Sequence, residues 1–132
     1  MASVPKFASA PRMGIVAVST ANTARDGTGT LLTVITGTAA GVVVPRIAVV
    51  ATGDPADSIV TLFISDGTTT WLFDEFDIGN PVAASTTVPG YKESRRYPDL
   101  MLNNASWLIK AGITVAPTSG VVNVIAHGQD LA

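Results

Sequence analysis

The sequence predicts an all-β protein: a single antiparallel β-sandwich, jelly-roll-like or Greek key, of about eight strands, with an extended N-terminal arm. Three observations predict it. Val, Thr and Ile supply 41 of the 132 residues, whereas Glu, Gln and Lys together supply six. β-branched side chains lose rotamer freedom in a helix and sit well on a pleated sheet. The long polar side chains that coat exposed helix faces are almost missing. Twelve Gly and eight Pro then break the chain at short intervals, the punctuation expected of many short strands.

The elements follow in order. Residues 1–13 contain Pro5 and Pro11 and no periodicity, and are expected to form the arm; residues 14–132 are expected to form the sandwich domain. Gly14–Ala21 is predicted as the first strand, Asn22–Gly29 as a turn-rich connection, and Thr30–Thr36 as the second strand. Val43–Thr52 is a third strand, whose Pro45 favours an edge position or an early bend. Ser58–Ser65 and Thr70–Phe76 form a hairpin around Asp66-Gly67, because Asp-Gly supplies the positive φ angles of tight turns. The connection is long enough for a four-residue loop or a bulge. Val82–Val88 is expected as a short strand. Gly90–Asp99, the most polar stretch, is a loop or an irregular edge strand, and Leu100–Leu102 a short strand or a helical turn. Trp107–Val115 alternates with period two, placing Trp107, Ile109, Ala111, Ile113 and Val115 on one buried face. Val121–His127 is the last strand.

Composition excludes several functions. Only 14% of the residues are charged and the net charge is -2, so neither a disordered charged tail nor a nucleic-acid binder is expected. No apolar run reaches the roughly 20 residues of a membrane-spanning helix. Met1–Arg12 lacks the apolar core of a signal peptide. Cysteine is absent, which removes disulfides, thiolate nucleophiles and Cys-based zinc sites.

The chemistry-bearing residues are few. His127 is the only histidine and has no second His or Cys to join it in a metal set or catalytic pair. No Gly-x-Ser-x-Gly elbow occurs. Asp54 with Asp57, and Asp74 with Glu75 and Asp77, read as turn acids, with a weak calcium site over Asp74–Asp77 as the alternative. Gly27 and Gly29 precede a strand, not a helix, so they do not form a phosphate loop. Trp71, Trp107, Tyr91 and Tyr97 would form a sugar-stacking platform if exposed, and core if not. No enzyme and no cofactor is expected. The residues expected to touch a partner are Lys6, Arg12 and Arg25 in the basic N-terminal part, and Tyr91, Lys92, Arg95, Arg96 and Tyr97 in the polar stretch, because Tyr and Arg are enriched where proteins meet.

Two segments carry a resemblance. Ser19–Thr30 reads STANTARDGTGT before an apolar, Thr-rich strand, and Ala51–Thr68 reads ATGDPADSIVTLFISDGT and leads into Trp71-Leu72. With the closing strand through Val122–Gly128, they resemble small all-β virion proteins of tailed bacteriophages. The resemblance implies a capsid decoration (cement) protein: no catalytic residues, partners consisting of the major capsid protein and copies of itself, clusters that are often trimers, no nucleic acid or membrane, and a place on the capsid surface after synthesis in the host cytoplasm. It implies that Ala2–Met13 is the shell-binding arm. The alternatives are a tail, neck or fibre-associated module, and a carbohydrate-binding module for host glycans.

Overall fold

In the computed structural model, residues 8–79 and 81–131 are described. They contain no helix and nine strands: β1 (Ala8–Val18), β2 (Leu32–Thr36), β3 (Val42–Ala51), β4 (Ser58–Ser65), β5 (Thr70–Ile78), β6 (Lys92–Arg96), β7 (Met101–Leu102), β8 (Leu108–Ile113) and β9 (Val122–Leu131). One sheet has the order β1-β9-β3-β6, with β7 also paired to β3; the other has the order β2-β8-β4-β5. The antiparallel pairs β1·β9, β2·β8, β3·β6 and β4·β5 alternate between the two sheets. The described residues thus form the all-β sandwich of two antiparallel sheets that the sequence predicts.

The core lies between the sheets. Val42, Val44, Ile47, Val49, Val122 and Val124 of the first sheet meet Val60, Leu62, Phe76, Ile78, Ile109 and Ile113 of the second, all fully buried. The alternation expected over Trp107–Val115 is realised at Ile109, Ala111 and Ile113. Val115, beyond the strand end, is exposed, and Trp107 is only half-buried. The outer face of the second sheet is crossed by residues 19–31. Asn22 N–H bonds the carbonyl of Ile113 at 2.8 Å, and the Asn22 side-chain amide bonds the carbonyls of Thr28 and Thr30. Phe63 is fully buried although it is not part of the intersheet core.

Local chemistry accounts for the turns. Between Ser65 and Thr70 the hairpin has a four-residue loop, in which the Asp66 carboxylate accepts the N–H groups of Thr68 and Thr69 at 2.9 and 2.8 Å. Gly67 adopts φ 97°, a conformation that costs glycine least. Pro45 takes the bend, not the edge. β3 is flanked on both sides, and Pro45 sits where its register against β9 shifts between Val43 and Arg46.

Two expectations change. The first strand starts at Ala8, not Gly14, so Ala8–Met13 of the expected arm pairs with the end of β9 (Ala8 with Leu131, Arg12 with Gly128). The physical reason is that β9 runs four residues past His127 and offers those backbone partners; Pro11 is tolerated because β1 is an edge strand. The rest of the arm, residues 1–7 including Lys6, lies outside the described residues. Val82–Val88 is not a strand. Val82 is 63% exposed, and the Ala-Ala-Ser-Thr-Thr between its two valines has no apolar alternation to bury. Ala84 N–H instead ties this loop to the carbonyl of Gly53 at 3.1 Å.

Candidate contact surface

Five of the residues expected to contact a partner, Tyr91, Lys92, Arg95, Arg96 and Tyr97, fall into two sets. The first set closes the edge of the sandwich where β5 of one sheet faces β6 of the other. Arg95 Nη1 donates to Asp74 Oδ1 at 2.8 Å and to the carbonyl of Glu75 at 2.7 Å. The Tyr97 hydroxyl donates to Asp74 Oδ2. The Tyr91 hydroxyl donates to Glu93 Oε2 at 2.6 Å. The Arg95 guanidinium lies 4.5 Å over the Phe76 ring, and Phe73 meets Tyr97 edge to face, 5.8 Å between centroids. Alternation within β6 explains the arrangement: Glu93 and Arg95 point toward the seam, while Lys92, Ser94 and Arg96 point outward. Burial, followed by the bond to an anion, raises the hydroxyl pKa of Tyr91 (Glu93) and of Tyr97 (Asp74) well above the ordinary 10. Both Asp74 oxygens are engaged by Arg95 and Tyr97, and Glu75 pairs with Arg25 at 2.9 Å, so Asp74 and Glu75 serve as structural anions. Among the described residues no group of three or more His, Asp or Glu is arranged to hold a metal ion.

Arg12 is paired with Asp130 across the β1·β9 ends. This bond holds the Asp130 carboxyl below the ordinary 3.8. Sequence reasoning did not anticipate these intramolecular partners of Arg12, Arg25, Tyr91, Arg95 and Tyr97, because each acid lies on another strand or loop or, for Glu93, on the same face two residues away.

The second set, Lys92 and Arg96, belongs to the outer face of the first sheet. Cross-strand register builds that face in four rows: Pro11, Gln129, Val43, Met101; Met13, His127, Arg46, Arg96; Ile15, Ile125, Ala48, Ser94; and Ala17, Asn123, Val50, Lys92. None of these positions carries Asp or Glu. Met13 is 58% exposed, Ile15 57% and Met101 42%. The β1 side is apolar and the β3–β6 side is cationic. Arg46, Met13 and Ile15 were not singled out by sequence, and His127 stood out only as a lone histidine without a metal or catalytic partner. The available signal was the even spacing of Met13, Ile15 and Ala17, which reads as core until β9 is known to lie beside it.

The two tryptophans stack on each other, with ring centroids 6.2 Å apart and planes at 20°. Trp71 is 45% exposed and Trp107 is half-buried, so the pair is neither fully in the core nor fully exposed. The cavities are modest. One of about 40 Å³ is lined by Val18, Ser19, Thr20, Thr30, Leu32, Ala111 and Gly112, none of them titratable. A wider hollow of about 350 Å³ at the β4–β5 end holds Asp57 and Asp77 with Ser58 and Thr114.

No protein-family model matches the chain, and no curated protein matches it. Among solved structures, the fold is similar to a chain in the acid-stable capsid structure of Helicobacter pylori bacteriophage KHP30. That match has a TM-score of 0.58 at 12% identity and covers 97% of this chain and 95% of that one. A pentameric capsid protein isolated from metagenomic phage sequences also matches, with a TM-score of 0.40 at 19% identity over 89% of this chain and 61% of that one.

Proposed function

We propose that this protein is a non-enzymatic structural component of a bacteriophage virion that binds the outer capsid surface as a decoration protein and stabilises the head. The observation that carries the reading is the fold likeness to a phage capsid chain, which spans nearly all of both chains. The likeness covers 97% of this chain and 95% of that one, so it concerns the sandwich as a whole. The acid-free outer face of the first sheet agrees with it, since interface centres are depleted of Asp and Glu and enriched in Met and Arg.

Decoration would act by linkage. A protein that binds the assembled shell and not its dissociated subunits raises shell stability in proportion to its occupancy. Clustering of copies, with a trimer as the expected state, would add avidity without new contacts. Tail or neck placement is the second reading, and copy number per particle separates the two. A glycan-binding role is the further alternative, and it would use the partly exposed Trp71 and Trp107 pair. The test is to omit or strip the protein and heat the heads. A lower capsid melting temperature that is restored on adding the protein back supports the proposal; unchanged melting and no copies on the head overturn it.

A further inference from the structure

Arg46 on β3 and Arg96 on β6 are directly opposite each other. The Tyr97 N–H donates to the Pro45 carbonyl at 2.8 Å, which makes them a non-hydrogen-bonded pair, the closer of the two antiparallel pairings. His127 stands on the other side of Arg46 in the same row. Like charges directly opposite destabilise a sheet. No acidic partner of Arg46, Arg96 or Lys92 occurs among the described residues. The chain has only eight Lys and Arg, yet it sets three of them on this face with no carboxylate among them. Folding alone gains nothing from that arrangement.

We infer that the outer face of the β1-β9-β3-β6 sheet is the shell-docking surface. Its Arg46–Arg96 side meets a carboxylate-rich protein surface, and its Met13–Ile15 side meets an adjoining apolar patch. The inference rests on the proposed virion role and specifies the surface that performs it. Charge selects the occupant. A second copy docked face to face about a two-fold axis would bring one cationic row against another, at an electrostatic cost. A nucleic acid would ask for a larger basic footprint than a chain of net charge -2 offers.

The test uses the full chain and heads stripped of it. Wild type is expected to rebind with an affinity that falls as salt rises. Arg96→Glu places a carboxylate opposite Arg46, so it is expected to melt at the same or a higher temperature while binding heads about tenfold or more weakly. Thr33→Glu, on the outer face of the other sheet, is expected to bind as wild type. Retention of wild type, but not Arg96→Glu, on immobilised polyglutamate supports the acidic preference independently of the head. If wild type rebinds and Arg96→Glu rebinds equally, this inference fails and the virion role stands. If wild type does not bind heads at all, the head-decoration role fails. Tighter retention on duplex DNA than on polyglutamate, or self-association abolished by Arg96→Glu, also overturns the inference, in favour of a nucleic acid or a second copy.

Discussion

The Tyr97 hydroxyl, just past the end of β6, donates a hydrogen bond to the Asp74 carboxylate of β5, and so joins the edge strands of the two different sheets. With Arg95 on the other Asp74 oxygen and over the Phe76 ring, this seam closes one side of the sandwich. The polar stretch around Lys92–Arg96 therefore does two jobs by strand alternation, with Glu93 and Arg95 holding the sheets together and Lys92 and Arg96 facing out.

Removing one donor should cost less than removing the shared acceptor. Tyr97→Phe leaves Asp74 its Arg95 bond and is expected to lower stability by about 1–2 kcal/mol. Asp74→Ala leaves both Arg95 and Tyr97 without their acceptor and is expected to cost about 2–4 kcal/mol. Urea denaturation of both variants checks the order. Equal effects, or none, would mean that the seam does not hold the edge.

The seam also sets the pH response. Tyr91 and Tyr97 are the only tyrosines, and both have folded-state values raised above 10, first by burial and then by the adjacent carboxylate. Their contribution is complete below pH 10 and is lost as pH rises beyond it, because the unfolded chain gives up these protons first. Phenolate absorbance and the unfolding signal should therefore appear together in alkali. Phenolate forming near pH 10 in a chain that is still folded would contradict this. At the other end of the scale, Asp130 is held below 3.8 by the Arg12 bond. Its contribution is present above that value and fades as pH falls below it, so fraying of the β1·β9 ends, followed by amide exchange, should begin in acid.

The opposite edge is closed by backbone proximity. A Cβ on Gly14 would fall 2.0 Å from the carbonyl oxygen of Val34, so only glycine lets β1 approach β2 this closely. Gly14→Ala is expected to destabilise by about 2–3 kcal/mol or more. Gly79→Ala, where the nearest atom would be the Asp77 carboxylate at 3.7 Å, should be nearly neutral. Thermal unfolding of the two variants distinguishes them.

Much of the fold could be read in the chain because its signals are local. Alternation at Ile109, Ala111 and Ile113, the Asp66-Gly67 turn and the wealth of Val, Thr and Ile each act over a few residues. The strand Lys92–Arg96 resisted because both of its faces are polar, one through pairing across the seam and one through exposure. The outer face was legible only in part. Arg96 and Lys92 stood out as charges, but Arg46 and His127 become their neighbours only through the order β9-β3-β6, which no spacing in the sequence encodes. Ala8–Met13 read as an arm because a prolyl edge strand has no pattern until its partner is known.

Cryo-electron microscopy of the virion tests the central proposal most directly. Many copies of this sandwich are expected on the outer surface of the head, with Arg46, Arg96, Met13 and Ile15 turned toward acidic and apolar residues of the shell. Heads with no such density, or density confined to the tail, would contradict it.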